Sequence, residues 1–223
     1  LKNYNEFNAY ELETLDHMRK ARHGTIYYGR KDGGNFFINH ENEIKILINK
    51  LNNLASRKLE SKILIELFKK VQRIPYQICN FTKEDVNEGI RCGDCRHKSE
   101  LLFKLLKNSN FEVKRIKAIF NWNDLPIPEE LLLTLKKSGT IWSHDSIMVK
   151  INKEWIKVDC TWNIELKSKG FPVTENWDGK SDTLQVTKGK IQFYDADKYT
   201  NKIKIDKEEA YKFANELNKW LIS

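Results

Sequence analysis

The chain has 223 residues, an ordinary share of apolar side chains and a formal charge of +8. That length suits one domain with a real core, and no apolar run approaches membrane-spanning length. The lysines are dispersed, so a solvated basic surface is expected rather than a nucleic-acid-binding one, and four cysteines, Cys79, Cys92, Cys95 and Cys160, are too few for a disulfide framework in a chain this long.

The opening LKNYNEFNAY lacks a basic-then-apolar leader pattern, so a cytoplasmic chain with reduced thiols is expected. Residues 5 to 22 read as an amphipathic helix and Thr25 to Tyr28 as a short strand ending in a glycine loop. Two helices are expected over 42 to 54 and 59 to 72, with apolar stripes Ile44, Ile48, Leu51 and Ile63, Leu64, Leu67, Phe68, Val71, the second ending before Pro75. Tyr76 to Phe81 is a short apolar stretch, and Thr82 to Val86 a helical turn. A helix then opens at Cys95, with Leu101, Leu102, Leu105 and Leu106 at helical spacing and Asp94, or Gly93 before it, as N-cap. Phe111 to Trp122 reads as a strand whose alternation slips once near Arg115, as a bulge would make it. A proline-bearing loop, a short helix over Glu129 to Lys137, a strand near Ile191 to Tyr194 and a final helix over Lys207 to Leu221 complete the pattern.

Ser143 to Ile151 and Glu154 to Asp159 form a hairpin if Asn152-Lys153 is a two-residue turn. Ile151 then pairs with Glu154, Val149 with Ile156 and Ile147 with Val158, which makes one apolar face. The same register sets Ser146 opposite Asp159 and leaves His144 one diagonal step from Asp159 on that face. A one-residue slip would separate the two. The apolar pattern alone therefore places a histidine beside an aspartate.

Cys95, in the first turn of its helix, meets unpaired backbone N–H groups and the positive end of the helix dipole, which favour a thiolate. A nucleophilic cysteine needs a base, and the base needs a partner that fixes its tautomer. Cys95, His144 and Asp159 fill these roles, and the chemistry is acyl transfer through a thioester, with water or an amine as acceptor. The Cys95 N–H is one oxyanion donor, and Tyr76 or Gln77 is a candidate for a second. Of the tryptophans, Trp142 is placed at the pocket because it neighbours His144.

The segments GDCRHKSELLFKLL and SHDSIMVKINKEWIKVDCTWN, with their spacing, resemble the transglutaminase-like superfamily of papain-fold enzymes. In that pattern a Cys opens a helix, a His begins a strand and an Asp ends the next. Trp155, Val158, Asp159, Thr161, Trp162 and Asn163 all fit it. The resemblance covers about residues 74 to 165. It implies a papain-like core over 74–165; together with the elements read above, the expected fold is α+β, a helix-rich N-terminal portion (1–73) packed on an antiparallel sheet, then that core and a C-terminal extension (166–223) within a single domain. It also implies Cys95 as nucleophile, His144 as base and Asp159 as third member, with a peptide or protein substrate. Locally, RCGDC is similar to the Arg-Cys-Gly-x-Cys signature of peptide N-glycanases and again selects Cys95. Arg96-His97-Lys98-Ser99 departs from their usual continuation, so glycan removal is not the expected reaction. Cross-linking transglutaminases carry a Trp where this chain has Arg96, which favours hydrolysis over transamidation.

Other readings stand beside this one. Cys92-Gly-Asp-Cys95 is a CxxC that could serve as a redox pair or half of a zinc site, although no second CxxC follows and no metal or other cofactor is expected. His97 reads as exposed, or as a pocket wall with Arg96, and Cys160 as buried and inert. A non-catalytic interaction module and, more weakly, a basic nucleic-acid binder are the alternatives from other classes.

Overall fold

A computed structural model describes residues 35–80, 82–83 and 86–223. The helix and strand expected within residues 5 to 28 lie outside these. The chain divides into two compact units, Leu1–Leu59 and Glu60–Ser223. In the first, the described part is helical, with Ile46 and Ile48 exposed and Leu51 and Leu54 half-buried. The two helices expected between 42 and 72 are one, α1 (Asn35–Gln72), 38 residues long. No glycine or proline interrupts that stretch, so nothing ends the helix before the approach to Pro75.

The second unit is mixed helix and antiparallel sheet, an α+β arrangement. Its elements are the end of α1, α2 (Cys95–Asn108), β1 (Val113–Asn121), the single turn α3 (Glu129–Leu132), β2 (Ile141–Ile151), β3 (Glu154–Val158), β4 (Gln192–Asp195) and α4 (Lys207–Ile222). The helix expected over Glu129 to Lys137 thus shortens to α3. Two 3-10 turns are added: Trp122–Asp124, which takes the last residue of the strand expected to Trp122, and Ile164–Lys169, in a stretch given no element. The four strands lie in the order β3-β2-β1-β4, all antiparallel. The β2–β3 pairs are those expected: Ile151 with Glu154, Val149 with Ile156 and Ile147 with Val158. Asn152 and Lys153 take φ of 51° and 73°, the positive values of the tight hairpin turn that matches strand twist.

Two apolar cores explain the slip near Arg115. β1 pairs with β2 in unbroken register from Val113–Val149 to Asn121–Ile141, so there is no bulge. Val113, Ile147 and Val149 belong to one core with Leu64, Phe68 and Leu102, whereas Phe120 belongs to a second with Trp122, Trp162 and Phe213. Val113 and Phe120 are seven positions apart, on opposite faces. The sheet is covered on one face at one end and on the other face at the other end, and the burial pattern changes parity between them. Leu64, Phe68 and Leu102 are wholly buried, each worth about 1.5–3 kcal/mol relative to an exposed side chain. No helix among the described residues is long and apolar enough to cross a membrane.

Candidate active site

The site is built where α2 begins. Asp94 is its N-cap, accepting from the Arg96 N–H at 2.9 Å, while its own N–H donates to Nδ1 of His97 at 3.2 Å. His97, expected to be exposed or a pocket wall with Arg96, is wholly buried. It replaces the Glu or Gln of the usual capping box. Gly93 makes this possible, because a Cβ there would stand 2.8 Å from the Cβ of His97. Arg96 forks onto the Asp94 carboxylate through Nε and Nη2 and reaches the Cys79 carbonyl at 2.8 Å. Burial raises the Asp94 carboxyl, but the His97 and Arg96 interactions outweigh it and bring it down to about 2. Its stabilisation is therefore full above about pH 4, the range of a free aspartate, and is lost as pH falls towards 2. We expect wild-type stability in chemical denaturation to drop by roughly 2 kcal/mol more across that window than that of Asp94→Asn. Parallel slopes in the two proteins would contradict this.

Cys95 opens the helix proper and is half-buried. Its N–H precedes the first intrahelical bond, which leaves it directed outwards from the helix start. β2 supplies His144, 2% exposed, and the end of β3 supplies Asp159, 7% exposed. Nε2 of His144 lies 2.8 Å from Oδ2 of Asp159. The Cys95 side chain is near enough to act on the same ring. Burial lowers the imidazole, but the charges and hydrogen bonds of Asp159 and Cys95 prevail, and His144 sits well above its ordinary value. Burial likewise raises Asp159, and His144 with Thr161 pulls it below the usual carboxylate range. Of these three residues, Cys95 is the least buried.

The supporting contacts are local and specific. Oδ1 of Asp159 accepts the Thr161 N–H at 3.0 Å, and Oγ1 of Thr183 accepts the Asp159 N–H at 2.8 Å. Oγ of Ser146 donates to the Val158 carbonyl at 3.1 Å, and the Phe120 ring meets the His144 ring edge-on at 5.9 Å. Lys98 is wholly buried, donating to the Gln72 and Ile74 carbonyls at 3.0 and 2.7 Å at the end of α1. Burial brings this lysine down to about 8, against the opposing pull of Cys160, Asp159 and Glu165.

A strap over residues 75–80 lies beside the start of α2. Gln77 N–H donates to the Gly93 carbonyl at 3.2 Å, and Gly93 N–H to the Pro75 carbonyl at 3.1 Å. Asn163 accepts the Tyr76 N–H at 2.8 Å, and Asn218 of α4 grips Ile78 through both its N–H and its carbonyl, at 2.9 and 3.0 Å. Tyr76 packs on Trp162 with ring centroids 4.5 Å apart. Burial, then the Cys95 and Asp94 charges, raise its phenol well above the ordinary value, so it stays neutral and able to donate. Gln77 is exposed on the same strap. Trp142 is a packing residue: it meets Trp122 and Phe213, and its Nε1 donates to the Gly139 carbonyl at 3.0 Å. Cys160 is buried, and burial pushes its thiol up to about 12.

The sulfur that Cys92 meets belongs to Cys79, 3.4 Å away. Among the described residues no group of three or more His, Cys, Asp or Glu side chains is placed to hold a metal ion. Thr183, Lys98 and Asn218 carry no motif that would have marked them, since each acts through a side-chain-to-backbone bond with a distant segment.

No family model, curated protein or solved structure matches this chain.

Proposed function

We propose that this chain is a transglutaminase-like cysteine hydrolase with a papain-like core, acting on an amide bond in a peptide or protein. The observation that carries the reading is the 2.8 Å bond between His144 Nε2 and Asp159 Oδ2, with Cys95 near enough to act on the same ring. In this reading the Cys95 thiolate attacks the amide carbonyl carbon. The C=O π electrons move to oxygen, where the Cys95 N–H and the Tyr76 hydroxyl or the Gln77 amide donate to the oxyanion. The charged imidazole gives its proton to the departing amine as the C–N bond breaks, which leaves a thioester on Cys95. His144 then takes a proton from water, hydroxide adds to the thioester carbonyl, and the thiolate leaves with the acid product. Asp159 holds the ring orientation and balances its charge throughout.

Peptide amides and glutamine-containing peptides, incubated with wild type and with Cys95→Ser, provide the test. Release of acid product by wild type alone supports hydrolysis. Incorporation of an added primary amine in its place identifies the transamidating alternative. Failure of both across a broad peptide panel, with Cys95 no more reactive than the other thiols, would leave an interaction module as the better account.

A further inference from the structure

The sequence pairs Cys92 with Cys95 as a CxxC, but the folded chain pairs it with Cys79. The two sulfurs stand 3.4 Å apart, and both residues are free and half-buried. Cys79 Sγ also lies 3.3 Å from the Gln77 carbonyl, to which it donates. Either thiol can be the donor in the sulfur–sulfur contact. Their backbones already run together. The bonds of Gln77 and Pro75 to Gly93 link the strap to the approach of α2, and the Arg96 fork holds the Cys79 carbonyl from the other side.

The geometry points to a reversible disulfide between Cys79 and Cys92, a dithiol site distinct from Cys95 that takes a low-molecular-weight disulfide such as oxidised glutathione as its oxidant. The sulfurs would close from 3.4 Å to the roughly 2.05 Å of a disulfide. The exchange is balanced. The Cys92 thiolate attacks one sulfur of the oxidant, whose S–S bond breaks and releases one thiolate. Cys79, as it loses its proton, then attacks the sulfur of Cys92 in the mixed disulfide and expels the second thiolate. Two protein thiols lose two electrons and two protons in all, and one oxidant molecule becomes two thiols. Burial and the hydrogen bond with Cys92 push the Cys79 thiol up to about 12, which makes it the poorer first attacker, and its place 3.4 Å from Cys92 gives it the second, intramolecular attack. The product fixes covalently the strap that carries Tyr76 and Gln77 beside the start of α2. Nothing in this step uses Cys95, so the site stands or falls apart from the acyl-transfer reading.

The test uses the full chain equilibrated in reduced and oxidised glutathione, quenched with acid, alkylated and mapped by mass spectrometry. We expect a single intramolecular bond joining the Cys79 and Cys92 peptides, reversed by reduced glutathione, and formed equally in Cys95→Ser. The oxidised chain should melt several degrees above the reduced one. Cys79→Ser should stop at a glutathione adduct on Cys92 and lose the difference in Tm. Free, alkylatable Cys79 and Cys92 in wild type under oxidising buffer would overturn the proposal, as would a bond mapped to Cys92 and Cys95. Both of these readings come from wild type and do not depend on how any variant folds.

Discussion

Replacing His144 by alanine is expected to slow alkylation of Cys95 by iodoacetamide at pH 6 by at least about tenfold, because the variant lacks the positive charge beside the thiol. In the folded chain the imidazole is held well above its ordinary value by Asp159 and Cys95 against the effect of burial. His144 is therefore cationic at pH 6 and stands beside Cys95. The pairing is lost on the alkaline side, as pH rises through the raised value of His144. Cys160, buried and pushed up to about 12, and Cys79, pushed to a similar height, serve as slow internal standards in the same digest. A variant that merely unfolds would expose all of them together. Equal rates for Cys95 in wild type and His144→Ala, with the standards unchanged, would remove the ion pair from the account.

Asp159→Ala should destabilise the chain by about 3–5 kcal/mol at pH 7, the cost of leaving a buried charge without its partner. His144 and Asp159 are both almost wholly buried, and Asp159 also accepts the Thr161 N–H. Alanine therefore strands a cationic ring and a backbone donor at once. Asp159→Asn keeps the shape and an acceptor for the Nε2 proton, and should cost clearly less. It removes the counter-charge, however, so His144 should titrate lower and Cys95 lose reactivity near pH 6. Urea denaturation of the three proteins, combined with alkylation rates, separates the two effects. Equal stability in Asp159→Ala and wild type would mean that the pair does not bear on the fold.

Alternation and turn chemistry are why the hairpin was legible. Ile147, Val149, Ile156 and Val158 admit one register, and Asn152-Lys153 suits positive φ, so His144 and Asp159 could be set together before any coordinates. The start of α2 was legible for a similar reason, since Asp94 is a good cap and the leucines recur at helical spacing. What escaped depends on which polar groups are buried. His97 and Lys98 look like surface residues in one dimension, yet one closes a capping box over Gly93 and the other donates to the Gln72 carbonyl, the last of α1, and to the Ile74 carbonyl just past it. The slip at Arg115 resembles a bulge in sequence because burial changes face between two cores while the register continues. Thr183 and Asn218 act across long separations, on Asp159 and Ile78, from positions that periodicity does not single out for such a role. The partner of Cys92 was missed because a CxxC draws attention to sequence neighbours, whereas the strap brings Cys79 in from 13 residues away.

The most direct measurement of the central claim is time-resolved mass spectrometry of the intact chain mixed with an activated ester, p-nitrophenyl acetate, at neutral pH, followed by peptide mapping. An acetyl group that appears on Cys95 and then leaves, never forms in Cys95→Ser, and forms slowly in His144→Ala is the result predicted for an acyl-transfer nucleophile. Acetylation scattered over Cys79, Cys92 and Cys95 at similar rates, or no adduct on Cys95 at all, would contradict it.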